Sequence, residues 1–289
     1  MSETPCGVAM ADLIRLAGVS GRGFHGVFEH ERRDGQEFVV DVELEADLSW
    51  AGQSDALADT VNYGEIGALA LAHIEGQPLD LIEALAERIA ADVLGQHRLV
   101  DEVRVTVHKP QAPVGVPFGD VTVTVTRRRA PVPVVIAVGA NLDNPAAAVT
   151  SAIERLTGLL TQVRASSVID TEPVGGPEQP AYANAVVVGR TRWSAPRLLR
   201  ALHEIEAEAG RVRAVRWGPR TLDLDLIQWG IPGTDSEWLS PGPALLLPHP
   251  RAHERGFVVR PWLEADPAGS ARVGDEVIPV AELAKGELL

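Results

Sequence analysis

The sequence predicts an α+β protein made of two domains, each built on an antiparallel sheet. Three observations carry that prediction. Apolar and polar residues alternate over 38–48, 103–107 and 121–125, the period of half-buried strands. Segments 63–73 and 81–94 have the apolar spacing of helices instead. At Arg127-Arg128-Arg129-Ala130-Pro131-Val132-Pro133, charge gives way to proline and then to a fresh apolar strand, which marks a short stiff linker. The expected division is 1–128, a linker at 129–133, and 134–289.

In the first domain the order is strand, strand, helix, helix, strand, strand. Val40, Val42, Leu44 and Ala46 face one way, and Asp41, Glu43 and Glu45 the other. Asp80 is placed to cap the second helix and Gly95 to end it. Val103, Val105 and Val107 form the next strand, and Val121 to Val125 the last. In the second domain the order is strand 134–138, helix 146–160, strand 163–169, strand 185–191, helix 195–209, strand 222–228. That β-α-β-β-α-β order is the ferredoxin-like arrangement. No internal repeat or low-complexity tract interrupts either domain.

The bulk numbers narrow the function classes. With 289 residues and 45% hydrophobic content, two packed cores are attainable. Forty acids against 26 bases give a net charge of −14, which disfavours a nucleic-acid partner. The single cysteine, Cys6, excludes an internal disulfide and a multi-cysteine zinc site. Glu3 and Asp12 interrupt any opening signal segment, and apolar runs such as 132–138 are too short to span a bilayer. A cytoplasmic protein without a membrane partner is expected.

The most informative stretch is Arg216-Trp217-Gly218-Pro219-Arg220-Thr221-Leu222-Asp223-Leu224-Asp225-Leu226-Ile227. In a strand, Leu222, Leu224 and Leu226 turn to the core, and Asp223 and Asp225 project together, roughly 7 Å apart at the backbone. A solvated strand face accounts for two such acids. A pair of divalent cations accounts for them too, because magnesium takes one or two protein carboxylates and completes its shell with water and phosphate. Arg211, Arg213, Arg216 and Arg220 crowd the preceding loop of an acidic chain, and guanidinium forks match phosphate oxygens. Carboxylates for metal beside cations for phosphate are the parts of phosphoryl transfer. His249 and His253 have i, i+4 spacing without the glutamate of a zinc-protease motif.

With "GRVR" before it and "LPHPRAHERGF" after it, this stretch resembles 6-hydroxymethyl-7,8-dihydropterin pyrophosphokinase of folate synthesis. The "IAVGANL" and "TEPVGGPEQPAYANAV" segments are similar to the same family, so the likeness covers essentially all of 132–289. The resemblance implies that Asp223 and Asp225 hold two magnesium ions. It implies that Arg213 and Arg220 act on the ATP phosphates, and that Glu206, Arg211, Trp217, His249 and Arg255 line the nucleotide site. Tyr182 and Phe257 would sandwich the pterin, Asn184 would bond its edge, and Thr171 and Val174 would complete its pocket.

In the first domain, alternation places Lys109 on the apolar face with Val103, Val105 and Val107. Such a lysine either snorkels out at the strand end or is desolvated for proton transfer. Glu83 sits early in its helix, where a carboxylate also complements the helix dipole. The stretches "GRGFHGVFEHER", "DTVNYGEI", "LDLIEALAERIA" and "VRVTVHKPQAP" together resemble dihydroneopterin aldolase over about 10–128, a family with the antiparallel T-fold (tunnelling fold). The resemblance implies that Glu83 anchors the pterin, with Thr60, Val61 and Tyr63 supplied by a neighbouring subunit. Lys109 would be the general acid and base, Tyr63 would serve the carbon left behind, and Glu31 would position the side chain or a water. His25 would help hold the loop, and no cofactor would be needed.

The product of the first expected reaction is the substrate of the second. The expectation is a bifunctional enzyme acting on pterins and ATP, assembled through its first domain as a tetramer or octamer. A pterin- or nucleotide-binding protein with decayed sites would lack Lys109, Glu83, Asp223 or Asp225, and all four are present. An RNA-binding module of ferredoxin-like order would want basic, aromatic strand faces, and only 4% of the residues are aromatic.

Overall fold

A computed structural model describes residues 11–173, 179–210, 220–242 and 245–286. The chain divides into two compact units, with the break between Ala130 and Pro131. Both are mixed α and β structures on antiparallel sheets.

The first unit runs β1 (Asp12–Gly23), α1 (Glu29–Asp34), β2 (Gln36–Ala46), α2 (Ser49–Ser54), α3 (Tyr63–Ile74), α4 (Ile82–Gln96), β3 (Glu102–His108) and β4 (Thr122–Arg128). The strands form one sheet in the order β1-β2-β3-β4. Alternation drives one face inward: Phe38, Val40, Val42, Leu44, Val103, Val105 and Val107 are fully buried. Helices α3 and α4 cover that face with Ile66, Ala70, Leu85, Ala86, Ile89 and Val93. Strand β1 shifts register between Leu16 and Val19, where Gly18 has φ +77° and donates to Asp41 Oδ1 at 2.8 Å.

The helix ends differ from the expected ones. Leu81, not Asp80, occupies the cap of α4 and offers no side-chain acceptor. Asp80 is drawn away by Arg32, a stronger partner than a backbone N–H at the surface. Gly95 lies inside α4, which closes one residue later with His97 as its cap. Two short helices, α1 and α2, were not expected from periodicity because six residues carry too little of it.

The second unit runs β5 (Val132–Ala140), α5 (Pro145–Leu159), β6 (Thr161–Ala165), β7 (Ile169–Thr171), β8 (Tyr182–Thr191), α6 (Ala195–Glu208) and β9 (Asp223–Trp229). Short pairs β10 (Ser240–Pro241) with β11 (Leu246–Leu247), and β12 (Ser270–Val273) with β13 (Glu276–Pro279), accompany α7 (Gly256–Ala265) and α8 (Val280–Gly286). The main sheet has the order β6-β8-β5-β9, and β7 also pairs with β8. The strand expected over 163–169 is two strands, because Ser166 turns its hydroxyl back to accept from Val186 N–H at 3.0 Å. One face packs on α5 and α6 through Ile136, Val138, Leu156, Leu198, Leu202, Leu222, Leu224 and Leu226. The other face packs on α7 through Val135, Val186, Val188, Ile227, Val259 and Trp262.

Leu85 is fully buried between α4 and the first sheet. Leu85→Ala is expected to cost about 2–5 kcal/mol of stability, read as a lower urea midpoint at constant slope. A loss below about 1 kcal/mol would contradict this packing.

Candidate functional site

Each unit gathers its reactive side chains in one place. In the first, Lys109 follows the last residue of β3, and its N–H donates to Val121 O at 2.8 Å. Strand alternation keeps it among the buried valines, with 8% of the residue exposed. The ammonium does not snorkel out. Its Nζ meets Glu31 Oε1 at 2.6 Å and stands 5.8 Å above the ring of Phe38.

Glu31 is nearly fully buried in the first turn of α1. Gln36 Nε2 donates to its Oε1 at 3.1 Å, and Phe28 N–H donates to its Oε2 at 3.1 Å. Burial alone would raise the Glu31 pKa, but the hydrogen bonds from Lys109 and Phe28 outweigh it and hold the carboxyl below its ordinary value. Gly26 has φ +147°, and a Cβ there would collide with the Glu31 carboxylate, so both conformation and space require glycine.

The other predicted residues of this unit lie on α3 and α4 or just ahead of α3. Tyr63 opens α3 with 65% exposure, and Glu83 is exposed in the first turn of α4. Neither has a hydrogen-bond or ion-pair partner among the described residues. Thr60 is half-buried and Val61 is buried, and both line a separate shallow pocket with Glu65 and His97.

In the second unit, β9 pairs antiparallel with β5, setting Asp225 against Ala137 and Asp223 against Gly139. Leu222, Leu224 and Leu226 are buried, and the two aspartates share the opposite face. A cavity of about 250 Å³ opens over them. Thr171, Tyr182, Asn184 and Phe257 line it together with Arg220, Asp223, Asp225 and Arg255.

The electrostatics of that cavity are unbalanced. Burial and the neighbouring Asp223 carboxylate push the Asp225 pKa up to about 6, against the pull of Arg255 and Arg220. Arg220 pairs with Asp223, and Arg255 Nη1 approaches Asp225 Oδ2 at 3.9 Å. A divalent cation would relieve the repulsion, and two carboxylates on one face offer the hard oxygen ligands it needs. Among the described residues, no cluster of three or more His, Cys, Asp or Glu side chains suits a metal. The cation shell would be completed by water and phosphate oxygens.

His249 is half-buried, and its burial followed by the charge of Arg255 pushes its pKa down to about 4. Its Nδ1 accepts Arg251 N–H at 3.3 Å. His249 and His253 do not share a helix, because the 3-10 turn Ala252–Glu254 begins after His249. Glu206 does not line the cavity. It is buried, and its Oε1 accepts Leu224 N–H at 2.7 Å on β9, the last strand of the sheet. Val174, Arg211, Arg213, Arg216 and Trp217 lie outside the described residues.

Two residues escaped the sequence reading. Asn141 is buried at the end of β5, where its Oδ1 accepts Arg220 N–H at 2.7 Å. Its Nδ2 donates to Gln179 Oε1 at 3.1 Å and to Pro180 O at 3.3 Å. Gln179 Oε1 also accepts the Tyr182 hydroxyl at 3.1 Å. The signal was present in "IAVGANL", an amide closing an apolar strand. Asn184 Nδ2 donates to Thr171 Oγ1 at 2.7 Å, which orients the amide along the cavity wall.

Comparison with known proteins assigns the two units separately. Residues 14–126 match the family described as dihydroneopterin aldolase. Residues 135–267 match the family described as 7,8-dihydro-6-hydroxymethylpterin-pyrophosphokinase. Dihydroneopterin aldolase of Streptomyces coelicolor is 52% identical over 118 residues, covering 41% of this chain and 98% of that protein. A 2-amino-4-hydroxy-6-hydroxymethyldihydropteridine pyrophosphokinase of Mycobacterium bovis is 40% identical over 154 residues, covering 52% of this chain and 81% of that protein. The folic acid synthesis protein fol1 of Pneumocystis carinii is 29% identical over 276 residues, covering 89% of this chain and 35% of that protein.

Asn141→Ala removes the side chain that ties Arg220 to the Tyr182 wall. Binding of an ATP analogue and of a pterin to the second unit should each weaken about tenfold, the cost of a lost buried hydrogen-bonding group. Calorimetry that finds both affinities unchanged would contradict this role.

Proposed function

The chain belongs to the dihydroneopterin aldolase family through residues 14–126 and to the 7,8-dihydro-6-hydroxymethylpterin-pyrophosphokinase family through residues 135–267, and we propose that it performs the two reactions in sequence. It is a bifunctional enzyme of folate biosynthesis. The observation that supports the assignment of residues best is the convergence of Tyr182, Asn184, Phe257, Arg220, Asp223 and Asp225 on one cavity.

In the first reaction, 7,8-dihydroneopterin loses the proton of its C2′ hydroxyl, and the C1′–C2′ bond breaks. Glycolaldehyde leaves, and the bonding electrons pass into the pterin as an enamine. Protonation at C1′ then gives 6-hydroxymethyl-7,8-dihydropterin. Lys109 serves as the general acid and base, and the adjacent Glu31 carboxylate fixes its ammonium on the reacting side chain. Glu83 anchors the amino-pyrimidinone edge through two parallel hydrogen bonds. Tyr63 delivers the proton at C1′, with Thr60, Val61 and Tyr63 coming from a neighbouring subunit. Strands β1 and β4 end the sheet, and the exposure of Tyr63 and Glu83 supports a site completed by assembly. A tetramer or octamer of T-fold domains satisfies both.

In the second reaction, the hydroxymethyl oxygen attacks the β-phosphorus of ATP, and AMP departs with the bridging oxygen. Tyr182 and Phe257 hold the pterin between their rings, and Asn184 and Thr171 bond its edge. Arg220 and Arg213 balance charge on the transferring group, and Arg255, Arg211, Trp217 and His249 hold the nucleotide. His249 does so uncharged, since its pKa lies near 4. Asp223 and Asp225 hold two magnesium ions, which supply Lewis-acid neutralisation of the phosphate oxygens when bound. The sheet order β6-β8-β5-β9 supports a ferredoxin-like assignment for this unit.

One assay tests the division of labour. With 7,8-dihydroneopterin, ATP and magnesium, glycolaldehyde and AMP should both appear. Asp225→Ala should lower AMP release by a factor on the order of 10³ and leave glycolaldehyde unchanged. Lys109→Ala should lower glycolaldehyde release by a factor on the order of 10² to 10⁴ and spare AMP made from supplied 6-hydroxymethyl-7,8-dihydropterin. Loss of both activities in either folded variant would refute the scheme.

A further inference from the structure

His25 lies between β1 and α1, is fully buried, and takes no part in the chemistry above. Its Nε2 is 2.9 Å from Ile74 O, and its Nδ1 is 3.1 Å from Leu79 N. A carbonyl oxygen only accepts and an amide N–H only donates, so Nε2 carries the proton and Nδ1 the lone pair. The ring is fixed as one neutral tautomer. Burial pushes its pKa below the ordinary histidine value, and the charges of Lys109 and Arg88 push the same way. The ring meets Phe38 edge-on at 5.1 Å between centroids, and Phe38 is the ring beneath Lys109.

The two hydrogen bonds grip both sides of one turn. Ile74 ends α3, and Leu79 stands just ahead of α4. The next residue adds a third bond, from Gly26 N–H to Leu79 O at 2.8 Å. Arg32 Nε donates to Gly26 O at 3.0 Å, and its guanidinium also pairs with Asp80. Residues 25 and 26 thus clamp the α3–α4 turn to α1. Glu31 lies on α1, and Glu83 lies in the first turn of α4.

We infer that His25 is a positioning residue for the aldol cleavage. As a neutral imidazole it fixes the turn that carries Glu83 relative to the Glu31–Lys109 pair, and so sets pterin affinity and not the rate of bond cleavage. The inference rests on the roles given above to Glu83, Glu31 and Lys109. A proton added at Nδ1 would face the Leu79 N–H, donor against donor, and open the clamp. Around the ring, Lys109 after β3 and Arg88 of α4 contribute charge and His73 of α3 contributes its backbone, while the His73 side chain pairs with Asp92 at 2.7 Å and Glu31 of α1 pairs with Lys109.

Full-length wild type, His25→Gln and His25→Leu test this. A glutamine amide supplies one donor and one acceptor, as the neutral imidazole does, but does not titrate. His25→Leu should raise the KM for 7,8-dihydroneopterin and the Kd for neopterin about tenfold, with kcat within about twofold. Wild type should show a rise in KM on acidification, and His25→Gln should stay within about threefold of wild type and lack that rise. AMP formation from supplied 6-hydroxymethyl-7,8-dihydropterin checks each chain. Unchanged KM and Kd in His25→Leu, or a fall in kcat alone, would overturn the inference. If His25→Leu does not fold, His25→Gln decides: a retained acid rise in KM overturns the inference, and its loss supports it. Should wild type itself cleave no dihydroneopterin, the proposed reaction fails, and neopterin binding by the two variants still judges the clamp.

Discussion

Strand alternation with an apolar core on one side is the constraint on which the second unit depends. Leu222, Leu224 and Leu226 are each nearly fully buried, and burying side chains of that size is worth about 1.5–3 kcal/mol apiece. The same geometry forces Asp223 and Asp225 onto one face, where their charges repel. The core therefore fixes an electrostatic demand it cannot satisfy. Asp225 registers that demand as a pKa near 6. Arg220 and Arg255 lie against the two carboxylates, and a divalent cation would relieve their repulsion further.

The first unit meets the same kind of problem with an internal solution. Alternation carries Lys109 inward with the β3 valines, and Glu31 meets it there within a network that includes Gln36 and the Phe28 N–H. A buried pair with its lone pairs occupied is held in one geometry, and removing one partner would leave the other charge stranded. That rigidity suits proton transfer, where the base must be poised before substrate arrives. The two sites thus differ in kind: one is a buried acid–base pair, and the other sets two acids on one face beneath a cavity.

Much of this was legible in the sequence because period carries it. The strands expected at 38–48, 103–107 and 222–228, the helices expected over 63–73 and 81–94, the shared face of the aspartates and the place of Lys109 on the apolar face all follow from alternation or helical spacing, and the observed elements lie within two residues of those bounds. Pairwise competition was not legible. Asp80 looked like a cap until Arg32, distant in sequence, claimed it. The bond from Leu224 N–H to Glu206 Oε1 joins α6 to β9, and no local pattern announces it. His249 and His253 have helical spacing without a helix. Asn141 and Gln179 connect segments far apart in the chain, and no local pattern announces such a link. Tyr63 and Glu83 stand exposed in the first turns of their helices.

Counting protons tests the central electrostatic claim most directly. A magnesium nucleotide analogue that is not hydrolysed can be titrated calorimetrically at pH 6 in buffers of different ionisation enthalpy. With Asp225 half protonated at that pH, cation binding should expel about half a proton more from wild type than from Asp225→Asn. Equal proton release from the two proteins, with equal affinity for the metal nucleotide, would show that these carboxylates neither hold the cation nor share the strain described.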